Sequence, residues 1–286
     1  MSGHSKWSTI KRQKGAADIK RGQTFTKVAN AITIAAKMGG SGDSESNPRL
    51  RVVMDEAKAV NMPKENVQRA IDRGLGKLPG QSIEEVTYEG FGPGKVAFLV
   101  EGMTDNKLRT LQEVKNLFER AGGSLAGQGS VAYMFDRIGE IKVRGQRAPE
   151  KEDDREQEML ELIDLGAEDV ESFDFAQVFD PEVLDSEART RRAQTRRDFA
   201  DAQEKRGYLV YVESSQLNTM STKITQVGYG VEQAEIVYKP NTLMEIKDKE
   251  TAKKVLDFAR KIEELDDVQK VYANFDIAEE ILREAT

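Results

Sequence analysis

The sequence predicts an α+β protein: a helical, basic amino-terminal bundle followed by two ferredoxin-like α+β domains, one nested inside the other. Three observations carry this. Apolar residues recur at helical spacing through residues 8–75. Beyond them, two β-α-β patterns lie far apart, at 96–135 and 242–277, and would complete one split domain. The stretch between them repeats the same order of elements.

The first helix is expected over 23–38, where Phe25, Val28, Ala29, Ile32, Ala35 and Ala36 share one face. Gly39-Gly40-Ser41-Gly42-Asp43-Ser44 breaks it. A second helix fits 48–60 through Leu50, Val53, Met54 and Ala57. Pro63 suits the first position of a third, because its missing N–H would have no partner there. Val67, Ala70 and Ile71 continue the stripe, and Gly74 suits the C′ position. The stretch Gly76 to Ser82 reads as a linker that permits hinge motion. Val96 to Val100 is a buried-strand run, and Thr104-Asp105-Asn106 caps a helix packed through Leu111, Val114, Leu117, Phe118 and Ala121. Gly122-Gly123 ends that helix, and Ser130 to Phe135 reads as the next strand. The inserted module gives strand 140–143, an acidic helix 152–165, strands 169–172 and 208–212, helix 214–227 and strand 234–238. Thr242 to Ile246 is then a strand, Val255, Leu256, Ala259 and Ile262 a helix face, and Val271, Ala273, Phe275 and Ile277 an alternating strand. The expected domains are 1–76, 82–138 with 239–286, and 139–238, the last carrying an extra helical segment near 173–206.

Charge is distributed unevenly. The 286 residues carry 43 Lys and Arg against 50 Asp and Glu, a formal net charge of −7. Residues 1–37 hold eight of those cations against the single Asp18, so the arm is at +7 and the remainder at −14. A basic arm on an acidic body points to a polyanion partner. The residues expected to contact it are Lys6, Trp7, Lys11, Arg12, Lys14, Lys20, Arg21 and Lys27. Trp7, the only tryptophan, can stack on a base or pack beneath the arm. If the helix extends back to Lys20, Lys20 and Lys27, seven apart, point away from the apolar face and are free for phosphate. Two weaker basic spots are Lys95 with Lys107 and Arg109, and the five arginines between Arg189 and Arg197. Acids flank that second run, and a self-neutralised helix is the favoured reading there.

Other chemistries find little support. No cysteine is present, so no thiolate nucleophile or cysteine metal site is available, and the one histidine, His4, gives no His-rich metal site. No cofactor and no small-molecule substrate are expected. Gly90-Phe91-Gly92-Pro93-Gly94-Lys95-Val96 falls one residue short of a phosphate loop and has valine where the magnesium-binding hydroxyl belongs, so it reads as a turn. Gly122 to Ser130 reads as a connection. No nucleophile, base and orienting group stand out together, so catalysis is not expected. No apolar run reaches the roughly 20 residues needed to span a bilayer, and the cytoplasm is the expected location.

Ordered motifs along nearly the whole chain resemble the YebC/PmpR family. They are Gly3-His4-Ser5-Lys6-Trp7, Lys14-Gly15-Ala16-Ala17-Asp18, Lys20-Arg21-Gly22, Phe25-Thr26-Lys27, Asn47-Pro48-Arg49-Leu50-Arg51 and Asn61-Met62-Pro63-Lys64. They continue with Tyr88-Glu89-Gly90-Phe91-Gly92-Pro93-Gly94, Thr104-Asp105-Asn106, Gly129-Ser130-Val131, Gly166-Ala167-Glu168-Asp169 and Asn274-Phe275-Asp276. The segment from Phe173 to Arg206 is longer than the family usually carries. The resemblance implies a three-domain cytoplasmic regulator of gene expression. Bacterial relatives are described as DNA-binding transcriptional regulators. Mitochondrial relatives act as translational activators, and other bacterial members look like ribosome-associated factors, so the implied partner is DNA or ribosomal RNA, with the ribosome itself a further partner. No helix-turn-helix with a reading helix is evident, and a basic arm suits backbone and shape recognition of RNA, but the arm itself fits DNA and RNA equally well.

Overall fold

The computed structural model describes residues 17–78, 82–145, 152–174, 206–278 and 281. They form two compact units, Phe135–Asn241 and the segments flanking it, up to Met134 and from Thr242.

The flanking unit opens with three helices: α1 (Ala17–Gly39), α2 (Pro48–Ala59) and α3 (Lys64–Gly74). Their apolar stripes meet in one core of Val28, Ile32, Ala35, Ala36, Leu50, Ala57, Met62, Ala70 and Ile71. Asn47 starts α2. Its side chain accepts from the Leu50 N–H at 3.1 Å and donates to the Ala35 carbonyl at 2.9 Å, so one buried cap also ties α2 to the end of α1. Gly74 is the last residue of α3 rather than its C′ residue, and a Cβ there would strike the Thr33 carbonyl. Helices α1 and α3 therefore approach closely at this crossing.

The same unit continues with β1 (Glu84–Phe91), β2 (Ala97–Thr104), α4 (Lys107–Arg120) and β3 (Ser124–Ala126). After the insert come β8 (Met244–Ile246), α7 (Lys249–Glu263), β9 (Val268–Ala273) and β10 (Phe275–Ile277). The main sheet runs β3-β1-β2-β9 with every pairing antiparallel, while β8 and β10 form a small parallel pair. This is the ferredoxin-like strand order with one change of connectivity. The strand that ordinarily follows the first crossover stands first, as β1, and feeds β2 through a hairpin. Phe98, Phe118 and Phe258 meet edge to face behind the sheet, with centroids 4.8 to 6.3 Å apart.

One strand is unexpected and one expectation changes. The charged stretch Glu84–Phe91 forms a full strand that its composition conceals. Ser130 to Met134 is not a strand: Ala132–Met134 is a single 3-10 turn, strand structure starts only at Phe135, and the edge strand is β3, inside what reads as a glycine-rich connection. The cause is Glu89. Its carboxylate accepts from the N–H groups of Gly129, Val131 and Ala132 at 2.7, 2.6 and 2.8 Å, which removes all three donors from any ladder.

The inserted unit contains β4 (Phe135–Arg144), α5 (Glu152–Asp164), β5 (Asp169–Asp174), β6 (Arg206–Glu213), α6 (Leu217–Gln226) and β7 (Gly230–Pro240). Its antiparallel sheet is ordered β5-β6-β4-β7, the ferredoxin-like arrangement with no change of connectivity. Ile141, Val143, Leu162, Tyr208, Val210, Val212 and Ile224 fill the space between sheet and helices. Burial and the Glu161 carboxylate hold the Tyr229 hydroxyl protonated; it donates to Glu161 at 2.7 Å.

Candidate nucleic-acid interface

Lys6, Trp7, Lys11, Arg12 and Lys14 lie outside the described residues, as does the Arg189 to Arg197 run. Lys20 and Arg21 fall on the first turns of α1. Lys27, expected to be free for phosphate, is instead committed within the protein: its ammonium donates to the Glu263 carbonyl at 2.6 Å. That carbonyl belongs to the last turn of α7, where unpaired acceptors and the negative end of the helix dipole attract a cation. Gln23 donates to the next carbonyl, that of Glu264, at 2.9 Å. At the spot expected around Lys95, Lys107 and Arg109, two of the three cations are committed. Lys107 pairs with Glu84 at 2.6 Å, and Arg109 with Asp267 at 2.7 Å and Asp105 at 3.2 Å.

The cations of the bundle follow the same pattern. Arg49 pairs with Glu85, Lys58 with Asp55, Arg73 with Asp105 and Lys77 with Asp72. Arg51 donates to the carbonyls of Ser44 and Glu45, and Lys37 to Ser82 and Ile83. Among the described side chains of the bundle, Lys64 and Arg69 are the cations without such a partner.

Arg69 lies on the rim of a cleft of ≈ 280 Å³ between α1 and α3. Helix α1 contributes Phe25, Thr26, Ala29, Asn30 and Thr33, a stripe at helical spacing, and α3 contributes Asn66, Arg69, Ala70 and Arg73. Thr33 donates to the Ala29 and Ala70 carbonyls, which closes the end nearest Gly74. Asn30 is 9% exposed and makes no hydrogen bond through its side chain. No expectation drawn from the sequence singled out this residue. The available signal was an asparagine on the core-facing stripe between Ala29 and Thr33.

The motifs that carry the family resemblance outside the arm have structural roles. Gly92 and Gly90 leave room for the aromatic cluster: a Cβ on Gly92 would lie 2.6 Å from the Phe98 ring and 2.7 Å from Phe258. The turn between them and β2 has Gly94 at φ 67, a conformation glycine adopts without strain. Burial works to raise the pKa of Glu89, but its three backbone donors outweigh this and leave the carboxyl below the usual range. Asp267 is governed similarly: burial raises its pKa, and Arg109, Thr110 and Thr104 together bring it below the ordinary value. Asn274 binds the Ala97 N–H at 2.8 Å and the Thr242 carbonyl at 3.3 Å, joining β2 to the chain that returns from the insert.

Among the described residues no group of three or more His, Asp or Glu side chains is placed to hold a metal ion, and no helix is long and apolar enough to cross a membrane. Residues 5–77 match the family model described as the TACO1/YebC protein N-terminal domain, and residues 83–275 match that of the TACO1/YebC second and third domain. A probable transcriptional regulatory protein of Persephonella marina is 40% identical over 286 residues, covering 100% of both chains. Another, from Chloroflexus aggregans, is 43% identical over 282 residues, or 99% of this chain and 98% of that one. The crystal structure of a conserved hypothetical protein from Aquifex aeolicus superposes with a TM-score of 0.73 at 36% identity, covering 97% of this chain and 99% of that one.

Proposed function

Because this chain belongs to the TACO1/YebC family, we propose that it is a cytoplasmic, non-enzymatic regulator of gene expression that binds nucleic acid through its basic arm. Three domains share the work: 1–76, the split domain of 82–138 with 239–286, and the insert of 139–238. The observation that carries this reading is the charge asymmetry, +7 on residues 1–37 against −14 elsewhere. The bundle sharpens it, since nearly all its described cations are already paired. Phosphate contact then falls to Lys6, Lys11, Arg12, Lys14, Lys20 and Arg21, with Trp7 among them. Lys27 leaves this set because the α7 carboxyl end holds it. DNA is the first target, in keeping with the name that the relatives carry. Structured RNA on the ribosome is the second. It is favoured by the way Arg49, Arg51, Lys58, Arg73 and Lys77 are held, which leaves no row of free cations on α2 or α3 for a groove. Crosslinking in cells followed by sequencing of the bound nucleic acid tests the proposal. Promoter DNA supports the first target and ribosomal RNA the second, while recovery of neither refutes both.

A further inference from the structure

We propose that the cleft between α1 and α3 receives a single unstacked nucleotide, with its base against Asn30 and its phosphate against Arg69. This deepens the nucleic-acid reading and rests on it. Asn30 is 9% exposed as a residue and makes no hydrogen bond within the protein, yet its carboxamide is not among the polar groups sealed from solvent, so it keeps an opening to the cleft that it lines. A ligand in the cleft can take the place of water on that amide. A carboxamide offers one donor and one acceptor side by side, the complement of the N6 amino group and ring nitrogen of adenine. The other lining residues suit a nucleotide in the same orientation. Phe25, Ala29, Met62 and Ala70 give an apolar wall for the flat faces of a base. Asn66 adds a second amide. Arg69, exposed and without an acidic partner, sits on the rim where a phosphate would lie, and Arg73 beside it is held by Asp105 at 3.4 Å. A cleft of ≈ 280 Å³ lies just below the usual range of ligand sites, about 300 to 1,000 Å³, and suits one nucleoside rather than a dinucleotide cofactor. Duplex DNA does not present an unstacked base, whereas loops and bulges of RNA do.

The test uses the full-length protein, with adenosine 5′-monophosphate, its 2′-deoxy form, adenosine and inorganic phosphate as probes in calorimetric titration. Saturable one-to-one binding of the monophosphate is expected, about tenfold tighter than adenosine, with phosphate alone undetected. Arg69→Ala should bring the monophosphate down to the affinity of adenosine and leave adenosine unchanged. Asn30→Asp, nearly isosteric but lacking the amide donor, should weaken both about tenfold. Its melting temperature is measured alongside, and Asn30→Gln serves as a second variant if the aspartate unfolds the bundle. No saturable binding, or binding that both variants leave intact, overturns the proposal. The variant Lys6→Ala, Lys11→Ala, Arg12→Ala, Lys14→Ala separates this outcome from the function proposed above. It should keep the mononucleotide and lose the polymer. If the parent binds polymer but no mononucleotide, the cleft proposal fails while the arm stands. Mononucleotide binding without polymer binding supports the cleft and removes the arm.

Discussion

Asp267 accepts hydrogen bonds from Thr104, Thr110 and Arg109, and its own carbonyl accepts from Met103, so one residue fixes the start of α4 against the end of α7. Its carboxyl and that of Glu89 both titrate below their ordinary values in the folded protein. In the unfolded chain these groups take up protons near pH 3.9 and 4.3, as roughly expected for free side chains. The unfolded state therefore binds protons first as the pH falls. The stabilisation is complete above the unfolded pKa values and is lost as the pH drops through the lower, folded ones. The melting temperature should thus be insensitive to these two groups at neutral pH and should fall below about pH 4. Asp267→Asn should cost roughly 2–3 kcal/mol at pH 7, because a hydrogen bond to a charged acceptor is worth about that much. It should also flatten the acid limb of the melting curve. An acid limb as steep as the parent's would show that Asp267 does not contribute to it. Asn30 presents the opposite situation, an amide without an internal partner that opens to the cleft, and the one sign of it in the sequence is its place on the core-facing stripe between Ala29 and Thr33.

At the level of elements, the helices were legible because their apolar stripes are long and end at strong caps. Asn47, Asn106 and Asp248 each accept from the backbone N–H three residues ahead. The strands were legible where both faces are buried, as in β2, and hidden where charge alternates, as in β1. The misreading of residues 130–134 has a different origin. An apolar run suited to a strand was turned aside by a carboxylate forty residues earlier in the chain, information that no local window contains. The glycines around Pro93 looked superficially like a phosphate loop, and their role turns out to be steric. Gly92→Ala should destabilise the split domain by about 1–3 kcal/mol through overpacking against Phe98 and Phe258. A melting temperature equal to the parent's would mean that the rings can move aside. Lys27 gives a sharper test, because the sequence assigned it to phosphate and the structure to the end of α7. Lys27→Met should lower stability by roughly 1 kcal/mol through the lost helix-end interaction, with no change in the salt dependence of nucleic-acid binding. A change in that dependence with unaltered stability would restore the phosphate role.

At the level of the whole molecule, the ties between bundle and split domain bear on how the protein acts. Lys27 and Gln23 reach the end of α7, Lys37 reaches Ile83, Arg49 reaches Glu85, and Arg73 reaches Asp105. These contacts oppose the hinge motion read from Gly76 to Ser82, and they place the bundle in one compact unit with the sheet β3-β1-β2-β9. An isolated 1–76 fragment would lose all five, so point variants of the full chain are the cleaner probe. The acidic body repels a polyanion at long range, which confines attraction to the arm and makes its strength a steep function of screening. If about five arm cations meet phosphates, binding to duplex DNA should fall with salt with a log–log slope of roughly −4 to −5. Replacing Lys6, Lys11, Arg12 and Lys14 by alanine removes up to four of those contacts and should shrink the slope by about 3 to 4, since each neutralised phosphate contributes about 0.9. The melting temperature should stay near that of the parent, because none of the five ties listed above involves these four residues. Trp7→Ala tests the same arm by a different force. If the indole stacks on a base, binding should weaken by roughly 1–3 kcal/mol with the salt slope unchanged, because stacking releases no counterions. If Trp7 packs under the arm, the melting temperature falls instead. A salt slope that survives the fourfold alanine replacement would place the phosphate contacts elsewhere and remove the basis for assigning binding to the arm.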